Sequence, residues 1–197
     1  MNEEHLALCS SPQWAAYLAD DLLPWVLDGH ELGDDLLEVG PGPGLTTDIL
    51  RRLAARVTAA ELDADLASKL AVRLAEHPDS EHPDSEHVRV VVADATSLPF
   101  RNAAFSAVAC LTMLHHIPGA AAQDAALGQM RRVLRPGGVL VGSDGLDTPD
   151  RRRAHRGDIF VPVDPRTVAG RLTRAGFIEA TTDVRADRLA FSARASI

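Results

Sequence analysis

The sequence predicts an α/β fold in which a mostly parallel sheet lies between two layers of helices. Short apolar runs, typical of buried strands, alternate with segments whose leucines recur every four residues, as on one face of a helix. A glycine-rich turn follows the first apolar run, and an acidic residue ends the second. Because ligands of such sheets bind at the carboxyl ends of the strands, we expect the functional site along that rim.

The chain before the first strand is expected to be helical. Ser11 and Pro12 suit the N-cap and first turn of a helix, and apolar residues follow at intervals of four: Trp14, Leu18 and Leu22. We therefore predict one domain over residues 1–197, with residues 1–30 as an N-terminal helical extension. A length of 197 residues with 46% hydrophobic content suits one domain with a single large core.

The turn after the first strand is the most informative segment. Residues 38–44 read Glu-Val-Gly-Pro-Gly-Pro-Gly, and glycines let the backbone turn sharply with no side chain above it. Glu61 lies 17 residues beyond Gly44 and ends the second strand, where an acid can accept the hydroxyl protons of a ribose. Together, turn, helix, strand and acid predict an adenosine-containing cofactor.

The same turn disfavours a cofactor with a pyrophosphate. Backbone N–H groups at a helix N-terminus hold phosphates, and Pro41 and Pro43 remove two of these donors. The glycine spacing is also G-x-G-x-G, not the dinucleotide pattern G-x-G-x-x-G, and no G-K-[ST] follows. We therefore expect a cofactor without phosphates, and a nicotinamide oxidoreductase is the less favoured reading.

The remaining elements follow in chain order. Leu45, Ile49 and Leu53 predict the helix after the turn, and Pro136 with the two glycines after it is expected to end a later helix. Asp164 and Pro165 are expected to begin the last helix. The other predicted elements are a helix bearing Leu66, Leu70 and Leu74, strands at 88–92, 104–111 and 139–141, and two final strands at 177–184 and 188–195.

These residues resemble the class I S-adenosylmethionine-dependent methyltransferases, and most closely the methyltransferase type 11 branch, which is similar to the ubiquinone/menaquinone C-methyltransferases. The resemblance covers nearly the whole chain. Five segments carry it in the family's order: residues 38–44, Glu61, and residues 91–100, 105–117 and 131–140.

The resemblance implies a Rossmann-like three-layer αβα sandwich whose seven-stranded, mostly parallel sheet has one antiparallel strand. It implies methyl transfer from S-adenosyl-L-methionine, which leaves S-adenosyl-L-homocysteine, to an O, N or C atom of a small molecule. In the family's scheme the first motif holds the methionine end, Glu61 the ribose, and Asp94 the adenine amino group, and Leu111 lies near the sulfonium. The implied cofactor-binding residues are Glu38, Gly40, Pro41, Gly42, Gly44, Glu61, Leu62, Asp94, Ala95 and Leu111.

Two histidines after the fourth strand are the candidate catalytic residues. A neutral imidazole of His115 or His116 can deprotonate a hydroxyl or amine nucleophile; the alternative is that they shape the turn and the pocket. Asp144, after the fifth strand, either orients substrate or begins a turn. Arg151 and the arginines near it either clamp an anionic group or pair with neighbouring aspartates on a solvated face, which is the favoured reading.

A tandem repeat places His77, His82 and His87 at five-residue intervals. Its prolines prevent a helix that would align the imidazoles, so we expect a solvated loop and no metal site.

The expected partner is a small-molecule substrate. The net charge of −8 disfavours nonspecific nucleic-acid binding, and the Asn-Pro-Pro-Tyr motif of adenine and glutamine-amide methylation is absent. With two cysteines and no long apolar segment, we expect a cytoplasmic monomer or homodimer without membrane insertion. The alternative function is a catalytically silent protein of the same fold that binds the cofactor or a partner.

Overall fold

The computed structural model describes residues 2–76 and 88–197, which form one seven-stranded sheet with helices on both faces. The strands are β1 (Asp35–Val39), β2 (Arg56–Glu61), β3 (Val88–Val92), β4 (Phe105–Leu111), β5 (Leu134–Gly145), β6 (Phe177–Arg185) and β7 (Arg188–Ala195). Their order across the sheet is β3-β2-β1-β4-β5-β7-β6. The strands from β3 to β5 pair in parallel, and β7 is antiparallel to both neighbours, which confirms the predicted fold class.

The helices fill the connections between strands. They are α1 (Glu3–Cys9), α2 (Pro12–Tyr17), α3 (Leu23–Leu27), α4 (Leu45–Leu50), α5 (Ala64–Glu76), α6 (Ala120–Val133), α7 (Pro149–Ala154) and α8 (Pro165–Arg174). A π-helical turn at Leu18–Leu22 joins α2 to α3, and a 3-10 turn at Leu114–His116 follows β4. Ser11 and Asp164 cap α2 and α8 as predicted. Each described helix is too short or too polar to span a lipid bilayer.

The central strands are buried on both faces. Successive residues of β1, Leu36 and Leu37, pack into two different hydrophobic clusters, because side chains alternate across a strand. In β4, Val108 belongs to one cluster and Ala109 to the other. This double burial is typical of a parallel sheet covered by two layers of helices. Cys110 is fully buried in β4 and carries a free thiol.

Two element boundaries differ from the expectations. Helix α6 ends at Val133 and β5 begins at once, so Pro136 and the glycines after it lie inside β5. The register between β4 and β5 shifts there, and this irregularity accommodates the proline. Helix α4 ends at Leu50, which leaves Leu53 about half exposed instead of in the core.

Candidate functional site

A cavity of about 950 Å³ lies at the carboxyl ends of β1, β2 and β4, where the sequence predicts the site. Small-molecule pockets span about 300–1,000 Å³, so this one has room for a nucleoside and a second ligand. Most of the candidate residues line it: Gly40, Pro41, Gly42, Glu61, Leu62, Asp94, Ala95, Leu111, His115 and His116.

The glycine-rich turn forms one wall of the cavity. Gly40 has a φ of +72°, and a Cβ there would lie 2.9 Å from Cβ of Met113. Gly44 has a φ of +86° and immediately precedes α4. Both positions require glycine, since other residues rarely adopt positive φ. Pro41 and Pro43 lie at the cavity wall and offer no N–H group.

Two candidate cofactor-binding residues, Glu38 and Gly44, lie outside the cavity wall. The Glu38 side chain is buried beneath the turn, where its carboxylate accepts hydrogen bonds from the hydroxyls of Thr46 and Thr47, the latter at 2.6 Å. Glu38 therefore fixes the first turn of α4, and its direct contact with a cofactor stays a prediction. Thr46 does line the cavity, although sequence reasoning did not select it.

Complete burial raises the pKa of Glu38 to about 7, although the two threonine hydroxyls act in the opposite direction. The folded protein then holds this proton more tightly than the unfolded chain does. The resulting stabilisation is full below the unfolded pKa of about 4.3 and is lost as the pH rises through about 7.

We therefore expect the free energy of unfolding of the wild type to fall relative to that of Glu38→Gln by about 3 kcal/mol between pH 4 and 8. Urea unfolding at a series of pH values measures this difference. Thr47→Val removes a hydrogen bond that lowers the pKa of Glu38. In this variant the free energy of unfolding should therefore fall at a higher pH than in the wild type. Parallel stability curves for the wild type and Glu38→Gln would contradict the assignment.

Glu61 ends β2 and faces the cavity. Its Oε2 accepts a hydrogen bond from the N–H of Gly42 at 2.9 Å, and its Oε1 accepts one from the N–H of Asp63 at 3.0 Å. A carboxylate offers about four acceptor sites, so about two remain for ligand hydroxyls. The contact with Gly42 also ties the glycine-rich turn to β2.

Asp94 follows β3 on the same rim. Its Oδ1 accepts hydrogen bonds from the backbone N–H of Thr96 at 2.7 Å and from the hydroxyl of Thr96 at 2.8 Å. These contacts fix the orientation of the side chain, and Oδ2 makes no hydrogen bond within the described chain. Asp94 thus offers an acceptor to an amino group in the cavity.

The opposite end of the cavity carries four imidazoles, which we call the histidine cluster: His5, His115, His116 and His155. His115 is buried, with Nδ1 2.5 Å from Oδ1 of Asp144 and its backbone N–H donating to Oδ2 of Asp144 at 3.1 Å. Its Nε2 lies 3.0 Å from Nε2 of His155. Asp144 therefore orients His115, a role that neither prediction for Asp144 included.

The contacts of the histidines bear on the predicted general base. Both ring nitrogens of His115 contact protein groups, so in this arrangement neither is placed to take a proton from a substrate. Burial, together with the nearby histidines, lowers the pKa of His116 to about 3 and that of His5 to about 4. An efficient base at neutral pH needs a pKa near 7, so these features favour the alternative that the histidines shape the pocket. A base at either position stays a prediction.

A short cover closes this end of the cavity. The backbone N–H of Asn2 donates to Asp158 at 2.8 Å, and the Asn2 amide donates to the carbonyl of Ala154 at 3.0 Å, so α1 is held against α7 and the loop after it. Sequence reasoning missed His5, His155 and Asp158, since the chain separates His5 from the other two by about 150 residues and no motif links them.

The remaining candidates have separate outcomes. Arg152 and Arg153 are exposed and pair with Asp147 and Asp150, as in the favoured reading of a solvated face. Arg151 departs from that reading, since its side chain is mostly buried, lines the cavity and pairs with Asp187 at 2.8 Å. Trp14 of the predicted N-terminal helix lines the cavity, and Cζ of Arg188 lies 4.8 Å from the centroid of its ring. The tandem histidine repeat lies outside the described residues.

Comparisons with known proteins agree with this geometry. A family model described as a methyltransferase domain matches residues 37–142, more than half of the chain. The ubiquinone biosynthesis O-methyltransferase of Xanthomonas oryzae pv. oryzae (strain PXO99A) is 32% identical over 117 residues, which cover 59% of this chain and 45% of that protein. A probable tRNA methyltransferase 9B of Bos taurus is 31% identical over 87 residues, 44% of this chain and 19% of that protein. The chain thus matches less than half the length of these relatives.

The fold is also shared with solved structures. N-methyltransferase NodS from Bradyrhizobium japonicum WM9, in complex with S-adenosyl-L-homocysteine, superposes with a TM-score of 0.69 at 19% identity. The superposition covers 98% of this chain and 93% of that one.

Proposed function

Since this chain belongs to the methyltransferase domain family, we propose that it binds S-adenosylmethionine in the cavity and transfers its methyl group to an O, N or C atom of a small molecule. The observation that carries the proposal is the pair of acidic side chains, Glu61 and Asp94, on one rim beside a proline-containing turn.

The residues present fit this cofactor. Glu61 retains acceptor sites for the two hydroxyls of a ribose, and Oδ2 of Asp94 is an acceptor for the adenine amino group. Gly40 and Gly42 keep the space above the turn free of side chains, and the prolines withhold the N–H groups that a pyrophosphate needs. A nucleoside without phosphates meets these conditions best.

The protein's contribution to the reaction is mainly positional. When bound, S-adenosylmethionine supplies a methyl group on a positively charged sulfur. Glu61 and Asp94 fix the nucleoside, while Leu111, Met113 and Ile117 give the centre of the cavity an apolar wall that excludes water. Holding a nucleophile in line beside an electrophilic carbon can lower a barrier by about 7–11 kcal/mol at best.

We propose a small molecule as the methyl acceptor. The net charge of −8 opposes the approach of a polyanion such as RNA, although the names of some relatives refer to tRNA or ribosomal RNA. Helices α1 and α7 also cover the end of the cavity that carries the histidines, where we expect the methyl acceptor to bind. A monomer or homodimer in the cytoplasm remains our expectation.

Thermal unfolding with S-adenosylhomocysteine and with NAD tests the cofactor assignment. At a free concentration near 100 times its dissociation constant, a ligand that binds only the native state stabilises it by about 2.7 kcal/mol. For a chain of this size, we expect S-adenosylhomocysteine to raise the Tm by about 5–10 °C. NAD should leave it unchanged, and the reverse result would exclude the proposed cofactor.

A transfer assay separates the enzyme from the alternative of a silent cofactor-binding protein. The chain is incubated with S-adenosylmethionine labelled in its methyl group and with fractionated small metabolites. We expect label in a small-molecule fraction, and label in added RNA instead would refute the proposed acceptor class. Binding of S-adenosylhomocysteine with no transfer to any fraction would favour the silent protein.

A further inference from the structure

The histidine cluster brings imidazoles together from three separate segments: α1, the 3-10 turn after β4, and the residue that follows α7. The ring centroids of His5 and His155 lie 4.1 Å apart, and those of His116 and His155 lie 5.2 Å apart. One ring nitrogen from each of His5, His116 and His155 lies within 4.8 Å of the other two. Neither the family match nor the proposed cofactor site accounts for this convergence.

Hydrogen bonds fix the tautomers of two members of the cluster. The Nδ1 of His115 faces a carboxylate oxygen of Asp144, and the Nδ1 of His155 lies 2.7 Å from the carbonyl oxygen of Arg151. Both oxygens accept, so both Nδ1 atoms carry the hydrogen. In neutral imidazoles each Nε2 then has a lone pair, and these two Nε2 atoms are 3.0 Å apart. Two lone pairs at this distance repel each other unless a positive charge lies between or beside them.

A metal cation can accept lone pairs from several imidazoles of the cluster at once. A shared proton would remove the repulsion only between His115 and His155. The Nδ1 of His5 is buried, makes no hydrogen bond within the described residues, and lies 3.6 Å from a carboxylate oxygen of Asp158. In a tetrahedral site, nitrogens that bind one zinc ion at 2.0–2.1 Å are about 3.3–3.4 Å apart, so the Nε2 atoms of His115 and His155, now 3.0 Å apart, would have to separate by only a few tenths of an ångström. Ring nitrogens of His5 and His116 lie within 4.8 Å of one from His155, and rotation of these side chains has to shorten that spacing before they bind the same ion.

The outer contacts follow the pattern of known metal sites. A histidine that binds a metal usually donates its second ring N–H to a carboxylate or a backbone carbonyl, which sets the tautomer and aims the lone pair at the ion. His115 with Asp144 and His155 with the carbonyl of Arg151 have this arrangement. The carboxylates of Asp144 and Asp158 would also offset the charge of a divalent cation.

We propose that the histidine cluster binds one divalent transition-metal cation through three of its imidazoles, those of His116 and His155 among them, and leaves the fourth coordination position open to the cavity. Imidazole ligands favour zinc among these cations. The open position takes an oxygen donor, so the acceptor class is a molecule with a hydroxyl group that binds the metal through its oxygen. The metal site stands on the contacts above, and only its use for the acceptor rests on the proposed function.

Metal titration of the whole chain, purified without a histidine tag and stripped with a chelator, tests the site. Co²⁺ is the probe, because its visible absorption reports the ligand set, and Zn²⁺ is then added in competition. We expect one equivalent of Co²⁺ to bind and Zn²⁺ to displace it. His155→Ala and His116→Ala should each weaken Co²⁺ binding at least 100-fold, and circular dichroism checks that each variant is folded.

The tandem repeat provides the matched control. A variant with His77, His82 and His87 replaced by Ala should keep the wild-type stoichiometry and spectrum, since the proposed site is built from other histidines. The proposal fails if the wild type gives no Co²⁺ band, if this control loses the band, or if His116→Ala retains it. His116 is partly exposed, so we expect His116→Ala to fold even if His155→Ala does not. In that case Co²⁺ binding by His116→Ala alone tests the metal site.

Titration with S-adenosylhomocysteine separates the two proposals. Binding of this ligand to a protein that takes up no Co²⁺ would overturn the metal site and leave the proposed function intact. Uptake of Co²⁺ by a protein that does not bind S-adenosylhomocysteine would support the site and refute the proposed function. Catechol is the probe for the acceptor class, because it can bind the metal through its hydroxyl oxygens. A shift of the wild-type Co²⁺ spectrum on adding catechol would support this class, and an unchanged spectrum would refute it.

Discussion

Replacing Glu61 by Ala is expected to weaken the binding of S-adenosylhomocysteine about 100-fold. Hydrogen bonds to a charged group contribute about 1.5–3 kcal/mol each, and the free acceptor sites of Glu61 suit the two hydroxyls of a ribose. The variant also loses the contact from the N–H of Gly42, which holds the glycine-rich turn beside the cavity. Calorimetric titration measures the change, and Asp94→Ala should weaken binding in the same direction.

Asp63→Ala is the matched control for this experiment. Asp63 is an acidic residue of the same cavity wall, but its Oδ1 accepts the N–H groups of Asp65 and Leu66 and so caps α5. The backbone N–H that it donates to Glu61 survives the substitution. We expect affinity within about threefold of the wild type. Equal losses in Asp63→Ala and Glu61→Ala would refute the ribose assignment, as would unchanged affinity in Glu61→Ala.

Gly44→Ala is expected to destabilise the fold by about 3–4 kcal/mol, which lowers the Tm by about 10 °C. The new Cβ would overlap Cδ1 of Leu70 and lie 2.7 Å from Nη2 of Arg73, in addition to the strain of a φ of +86°. Leu70 is 1% exposed and cannot move aside without disturbing the core. Arg73 donates hydrogen bonds to the carbonyls of Pro43 and Gly44, so displacing it also disturbs the turn.

Gly128→Ala is the control for Gly44→Ala, because Gly128 lies in α6 and a Cβ there meets no atom within 4 Å. Alanine in a helix is favoured over glycine by about 1 kcal/mol, so we expect this variant to be as stable as the wild type or slightly more stable. Chemical unfolding of both variants provides the comparison. A Gly44→Ala protein as stable as Gly128→Ala would show that the turn tolerates a side chain.

The acidic rim of the cavity could be predicted because its signals are local in the sequence. The proline-containing turn, Glu61 and Asp94 each follow directly after an apolar strand, and parallel strands bring their carboxyl ends to one rim. The position of Glu38 was harder to foresee. The carboxylate of Glu38 could either face a ligand or accept hydrogen bonds from the hydroxyls of Thr46 and Thr47, depending on where α4 packs. The alternation of side chains along β1 does not reveal the position of α4.

Boundaries inside the fold also depended on tertiary contacts. Pro136 ordinarily signals the end of a helix, yet the pairing of β5 with β4 begins before it and a register shift accommodates it. Local sequence carries no information about which backbone groups of a neighbouring strand are available. The tertiary environment therefore overrides the local signal at this point.

The amino-acid order alone determined the strand and helix alternation, the phosphate-free character of the predicted cofactor site, and its two acidic residues, because these depend on periodicity and on neighbours a few residues apart. Only the tertiary structure decided that His5, His115, His116 and His155 meet at one end of the cavity. Their convergence arises when α1 packs against the segment after β5, across about 150 residues of chain, and no local pattern encodes such a contact.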